Sequence, residues 1–299
     1  MDTQKVVDWF DEHERPLPWR RPGTSAWGVL LSEVMSQQTP VARVAPVWEQ
    51  WMRRWPTPAD FAQATRDEVL RAWGKLGYPR RALRLWECAR KLNDAPVPRD
   101  IDKLLALPGI GDYTARAVAC FHYGENVPVV DTNVRRVYAR AVDGNFLAPQ
   151  PSKRELALVE ELLPEEDGPR FSAALMELGA LVCTAKNPSC AACPLLEDCA
   201  WQRAGCPEPS AEEQAKAKKR VQKFAGTDRQ VRGSSWTSCA RPTRRSPSLR
   251  LTSSGPTGRS DPVRWPPYLT MASPTRTTKG CFTCLCSWVS PISSSARGS

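Results

Sequence analysis

Apolar residues recur at helical spacing through most of the first 206 positions of this 299-residue chain. Between Ala26 and Trp51 they fall at Val29, Leu30, Val34, Val41, Val44, Val47, Trp48 and Trp51, the three- and four-residue steps of an amphipathic helical stretch. Phe61, Ala62, Val69, Leu70 and Trp73 repeat the pattern between Pro58 and Leu76. Thr57-Pro58 and Thr65-x-x-Glu68 read as helix starts, the second as a capping box. Pro79, Pro96 and Pro98 punctuate the series. No two-residue alternation persists, and Pro128 interrupts the β-branched run at 127–130. No repeat of solenoid period is present. The pattern predicts an all-α body.

The text changes after about Gly233. Residues 233–299 hold 15 serines, 9 threonines and 8 prolines, and their helical periodicity is gone. Such a segment buries too little apolar surface to offset its ordering entropy. Two readings fit it: a basic, disordered tail, or a GC-rich gene read out of frame. The change also redistributes the charge. The formal net charge of +10 suggests a nucleic-acid partner. However, residues 233–299 carry nine basic residues against one acidic residue, while residues 1–232 carry 33 against 31. Any nucleic-acid contact by the body must therefore come from local sites.

No run of about 18 or more apolar residues offers a membrane span. Met1-Asp2-Thr3-Gln4-Lys5 lacks the basic-then-apolar opening of a signal peptide. The expected compartment is the cytoplasm, where clustered cysteines are metal ligands more often than disulfides. Cys183, Cys190, Cys193 and Cys199 form such a cluster, spaced C-x6-C-x2-C-x5-C. Zinc loops usually pair two short knuckles at a distance. One compact four-thiol loop suits a cubane iron–sulfur cluster better, with zinc and a set of metal-free buried thiols as the alternatives. Cys88 and Cys120 sit in helical patterns and read as core, and Cys206 reads as a bystander.

Three further segments carry chemistry. Leu107-Pro108-Gly109-Ile110-Gly111 should turn the chain between a helix ending near Leu105 and one starting near Asp112. Its glycines permit close backbone approach, and the following helix N-terminus can bind a phosphate. The bland reading is an ordinary helix–helix turn. Glu33 stands inside an apolar helix, and Asp131 follows the apolar run ending at Val130. A carboxyl among apolar neighbours is a candidate for a raised pKa and general-acid work, while a second, ionised one stabilises positive charge. Against this, Glu33 would be solvated and Asp131 would simply cap a helix. Gln37, four residues after Glu33, is expected on the same helical face, and with Gln38 it is a candidate DNA-contacting edge.

Taken together, these segments resemble the helix-hairpin-helix DNA glycosylases, and more narrowly the adenine DNA glycosylases of MutY type. The resemblance covers about residues 5–232. It rests on Leu17-Pro18-Trp19-Arg20, Ser32-Glu33-Val34-Met35-x-Gln37-Gln38-Thr39, Leu76-Gly77-Tyr78, Leu107-Pro108-Gly109-x-Gly111, Val130-Asp131-x-Asn133-Val134-x-Arg136-Val137 and the cysteine loop. It implies a two-domain helix-hairpin-helix fold. Residues 23–125 would form a six-helix barrel. Residues 1–22 and 126–206 would form a domain holding a [4Fe–4S] cluster. A linker at 207–232 and the tail at 233–299 would follow. It implies excision of adenine from double-stranded DNA containing A:8-oxoguanine or A:G mispairs, by a nucleoid-associated monomer without membrane contact. Glu33 would protonate the base, Asp131 would stabilise the sugar cation, and Tyr113 and Asn133 would support them. Gln37, Gln38, Leu107, Gly109, Gly111 and Lys186 would contact DNA. The cluster would shape a DNA-contacting loop without performing chemistry.

Two other readings stand beside this one. An endonuclease III-like enzyme needs a lysine nucleophile just before Thr114-Ala115, where this chain has Tyr113. A binding-only product would keep the hairpin and cluster without excision. Longer family members carry a C-terminal Nudix-like domain that senses 8-oxoguanine. The resemblance stops near Gly233, so it does not carry the preference for 8-oxoguanine over guanine.

Overall fold

A computed structural model describes residues 1–220. The expectations for 221–232 and for the tail lie outside the described residues. Among the described residues the structure is helical throughout. In chain order the helices are α1 (Thr3–His13), α2 (Ala26–Ser36), α3 (Val41–Arg54), α4 (Pro58–Ala62), α5 (Arg66–Trp73), α6 (Arg80–Leu92) and α7 (Ile101–Leu105). They continue as α8 (Asp112–Phe121), α9 (Thr132–Ala141), α10 (Arg154–Glu160), α11 (Gly168–Leu181), α12 (Ala200–Arg203) and α13 (Ala211–Arg220). No described helix is long and apolar enough to cross a membrane.

Local chemistry divides the helical stretches, and the starts expected at Thr57-Pro58 and Thr65 are those of α4 and α5. The Ala26–Trp51 pattern divides into α2 and α3, with Gln38 between them at φ 54. The expectation that Gln37 shares a helical face with Glu33 is therefore corrected: Gln37 ends α2 with an extended ψ of 112. Gln38, the next residue, is left-handed, and Pro40 disfavours helical backbone at Thr39, so the helix does not run on into α3. The Pro58–Leu76 stretch divides into α4 and α5. Both start with a reciprocal capping box, Thr57 with Asp60 and Thr65 with Glu68. Each such cap satisfies backbone donors that a helix start leaves unpaired and contributes about 1 kcal/mol.

The helices assemble around two hydrophobic cores. The first draws on residues between Ala26 and Val118. Its centre is aromatic: Trp51 packs against Phe61, Trp55 and Trp73 with ring centroids 4.9, 5.2 and 5.6 Å apart. The buried indole N–H groups are satisfied by backbone carbonyls, Trp27 donating to Trp55, Trp48 to Gly28 and Trp73 to Gly77. Each fully buried Phe, Leu or Met contributes about 1.5–3 kcal/mol, so Phe61 and Met35 hold α2 and α4 firmly. The second core joins α1 to α9, α11 and the cysteine loop. Here α9 and α11 approach closely because residue 179 is glycine. A Cβ there would stand 2.6 Å from Asn133 Cβ. A third, small cluster joins Ala117 and Cys120 of α8 to Val129, with Tyr113 and Met176 packed against it.

Candidate active site and metal centre

α2 packs against α8, and this pairing brings Glu33 to Tyr113. α2 begins at Ser25, whose side chain accepts the Gly28 N–H. Glu33 is the only charged residue in α2. The Tyr113 hydroxyl donates to Glu33 Oε2 at 2.8 Å. Asp131 reaches the same space from the start of α9. Its Oδ1 accepts the backbone N–H groups of Asn133 and Val134 at 2.8 and 2.7 Å, and its Oδ2 accepts Asn133 Nδ2 at 2.7 Å. Asp131 therefore does cap a helix. It lines the cleft as well, and the cap fixes its carboxylate there.

The cleft measures about 2020 Å³ and is lined by Glu33, Tyr113, Asp131 and Asn133. Gln37, Gln38, Gly109 and Gly111 also contribute to its walls. Gln37 is held by a 3.3 Å bond from its Nε2 to Thr114 Oγ1. Leu107 and Lys186 are not part of this lining. Leu107 is buried in the first core beneath the hairpin, and Lys186 is exposed on the loop between Cys183 and Cys190.

The two carboxyls have different surroundings. Burial pushes Glu33 up from 4.5 to about 7, helped by the negative charge of Asp131 and opposed by the Tyr113 hydrogen bond and by Arg20. A proton is thus available on Glu33 near neutrality. Burial also raises Asp131, but three donors and the Arg136 charge oppose the rise by favouring its ionised form. Tyr113 is raised well above its ordinary value by burial and the neighbouring carboxylates, so it keeps its proton and donates.

The hairpin between α7 and α8 lies along the same cleft. Gly109 sits at φ +80, and a Cβ there would stand 2.5 Å from Arg84 Cβ. Both conditions demand glycine. Gly111 starts α8 without a side-chain cap. The first N–H groups of α8 are thus open to an external acceptor such as a phosphate.

The four cysteines gather on the second core. Cys183 follows α11, Cys190 and Cys193 bracket a single 3₁₀ turn, and Cys199 starts α12. None is in a disulfide. Burial raises the Cys190 thiol and lifts Cys193 to about 11, with the other thiols adding to both. The thiols are close enough to influence one another. Even so, among the described residues no three His, Cys, Asp or Glu side chains converge as a single ion requires. A cubane brings its own sulfides and spreads its thiolates wider than zinc, which holds each sulfur at about 2.3 Å. The donor set fits the cluster, and the four cysteines would hold it.

Arg140, 2% exposed, supplies positive charge beside them. It donates to Cys183 Sγ at 3.4 Å and to the carbonyls of Phe146, Thr184 and Ala185. Arg136 links this region to the cleft. It donates to Asn133 Oδ1 at 2.7 Å and to the carbonyls of Gly179 and Cys183, both at 2.6 Å.

Sequence reasoning passed over one cleft feature. Glu177 on α11 is 1% exposed and accepts from Arg15 at 2.5 and 2.9 Å and from Arg20 at 3.0 Å. All three line the cleft. Burial alone would raise Glu177, but the two guanidiniums hold its carboxyl below the ordinary range. The signal was available, since a lone acid among the apolar residues of α11 is the same pattern that singled out Glu33.

Residues 31–163 match the HhH-GPD superfamily of base excision DNA repair proteins, and residues 183–199 match the iron–sulfur binding domain of endonuclease III. The chain is 59% identical over 233 residues to the adenine DNA glycosylase of Mycolicibacterium smegmatis, covering 77% of each protein. Two solved structures are similar at 26% identity. A thermostable thymine-DNA glycosylase has a TM-score of 0.62, with 68% of this chain and 95% of that one covered. A non-covalent complex of endonuclease III with DNA has a TM-score of 0.59, covering 68% and 94%.

Proposed function

The chain belongs to the adenine DNA glycosylases of the HhH-GPD superfamily, with a [4Fe–4S] site in its cysteine loop, and we propose that it removes adenine paired with 8-oxoguanine or guanine in double-stranded DNA. The observation that carries the chemistry is the convergence of Glu33, Tyr113 and Asp131 in one cleft, with Glu33 raised to about 7.

A stacked adenine is out of reach of such a cleft, so the base is turned out of the duplex. The Glu33 carboxylic acid protonates the adenine ring. The N-glycosidic bond breaks with its electron pair going to the base, and positive charge develops on the sugar. Asp131 stabilises that charge, by analogy with glycoside hydrolysis. Water then adds to the sugar carbon, and the Glu33 carboxylate takes the proton released. Asn133 holds the Asp131 carboxylate through Oδ2, and Tyr113 holds Glu33. No amine stands at position 113 to form a Schiff base, which favours hydrolysis without strand cleavage.

The backbone at Gly109 and Gly111, on a hairpin that Leu107 anchors in the first core, and the exposed Lys186 take the backbone phosphates, while Gln37 and Gln38 occupy the duplex beside the extruded base. The first core and its hairpin form one domain at 23–125. The second core forms the other, from 1–22 and 126–206. The enzyme works as a monomer on cytoplasmic, nucleoid DNA.

The test is single-turnover adenine release by anaerobically purified protein. The substrates are an A:8-oxoguanine duplex, an A:G duplex and a duplex with an oxidised pyrimidine, with Glu33→Gln as control. Release of adenine that vanishes in the control supports the reading. Release of the pyrimidine with strand cleavage would replace it by the endonuclease III-like activity. Binding without any release would leave a binding-only protein.

A further inference from the structure

We propose that Arg81 is a positioning residue that clamps the loop after α2 to the turn before α6, so that Gln38 and Tyr78 meet a duplex as one rigid edge. The inference rests on the excision reading above.

An α-helix leaves its last carbonyls without partners, and α2 ends in a half-buried place. Arg81 supplies donors there. Its Nη1 donates to the carbonyls of Val34, Met35 and Gln37 at 2.8, 3.3 and 2.6 Å. Its Nη2 donates to Thr39 Oγ1 and to the carbonyls of Leu76 and Gly77 at 3.1, 3.1 and 3.2 Å. Thr39 Oγ1 in turn donates to the Leu76 carbonyl at 3.0 Å. The guanidinium carbon lies 5.2 Å from the centre of the Trp73 ring and 5.4 Å from that of Tyr78. One side chain thus binds both segments across about forty positions of sequence.

Both segments hold unfavourable backbone. Gln38 sits at φ 54 and Tyr78 at φ 48, in the region that L side chains rarely adopt. A residue that ends a helix in this way is usually glycine or asparagine. Such conformations persist only where surrounding contacts over-determine them. Here the six acceptors of Arg81 do so. A planar fork with five fixed donors can serve acceptors on two sides at once, and a lysine ammonium cannot.

Gln38 lines the cleft and is exposed, and Tyr78 is exposed at 36%. Extruding a base costs stacking and pairing energy. An edge already held in shape need not be ordered at that moment. Arg81 therefore acts on base extrusion and leaves bond cleavage to Glu33.

The test uses the full-length, cluster-loaded protein. Adenine release is measured in single turnover from a fully paired A:G duplex and from a duplex presenting the target adenine in a single-base bulge, already unstacked. Arg81→Lys should slow release from the paired duplex about tenfold, the effect of one non-glycine residue leaving a left-handed conformation. On the bulge the loss should be several times smaller. The melting temperature should fall as the Arg81 acceptors lose partners, so rates are read well below it, while duplex affinity and iron–sulfur absorbance should stay near wild type. Arg81→Ala strands all six acceptors at once, so Thr39→Val, which removes one shared acceptor, serves as the second variant and should show the same selective loss in weaker form.

An equal loss on both duplexes, or no loss on the paired one, overturns the proposal. If wild type releases adenine from neither duplex, the functional reading fails instead. The clamp is then decided by the fluorescence of 2-aminopurine placed beside the target. A rise on wild-type binding that shrinks in Arg81→Lys supports it, and equal or absent rises overturn it.

Discussion

The Tyr113 hydroxyl donates a 2.8 Å hydrogen bond to Glu33 Oε2, eighty positions earlier in the chain. That bond favours the carboxylate, so it works against the burial and the Asp131 charge that together hold Glu33 at about 7. If protonated Glu33 is the acid, adenine release falls as pH rises through about 7. Tyr113→Phe removes a lowering influence, so the alkaline limb of its pH–rate profile should move to higher pH. Single-turnover rates across the pH range check this. A limb that stays in place, or moves to lower pH, would contradict the assignment.

Glu33 also has a stability signature. Its folded-state pKa of about 7 lies above the ordinary 4.5. The stability it contributes is therefore fully present below about pH 4.5 and is lost as pH rises through about 7. Glu33→Gln should abolish excision yet resist urea better than wild type at pH 8. The gain should be on the order of 3 kcal/mol before its partial exposure is discounted, and it should shrink toward zero near pH 4.5. Equal stability of the two proteins at both pH values would show that Glu33 is not held protonated by the fold.

Arg140 ties the cysteine loop to α9 through the carbonyls of Phe146, Thr184 and Ala185. Arg140→Met should strand these acceptors and cost about 3–5 kcal/mol, the range for breaking a buried charged network. Visible iron–sulfur absorbance should decay faster on exposure to air. Unchanged decay and unchanged melting would mean that the loop is held by its cysteines alone.

Gly109→Ala should be destabilising by about 1–3 kcal/mol, because the φ of +80 is strained for any side chain and Arg84 occupies the space. Its sharper effect should be on duplex affinity, measured by fluorescence anisotropy, with the excision rate at saturation nearly intact. Tight binding together with slow excision would place the hairpin in the chemistry and not in phosphate contact.

Local signals in the chain carried much of the result. The step of three or four between apolar residues gave the helical body, and Thr65 with Glu68 gave a helix start, because these depend on neighbours within one or two turns. Glu33 stood out because a carboxyl among apolar residues has few inexpensive explanations. The same local view placed Gln37 on the helical face of Glu33, since periodicity alone does not show where a helix ends or where a residue such as Gln38 turns left-handed.

The amino-acid sequence by itself determined an all-α body, a four-thiol loop spaced for a cluster, a glycine hairpin and two isolated carboxyls. Tertiary structure alone decided which of these meet. Tyr113 reaches Glu33, Arg81 reaches the end of α2, and Glu177 closes on Arg15 across 162 positions. The physical reason is range. Helix propensity, caps and ligand spacing act over a few residues of chain. The partners of a buried charge are set by how whole helices pack, and the pKa of Glu33 exists only once that packing has removed it from water.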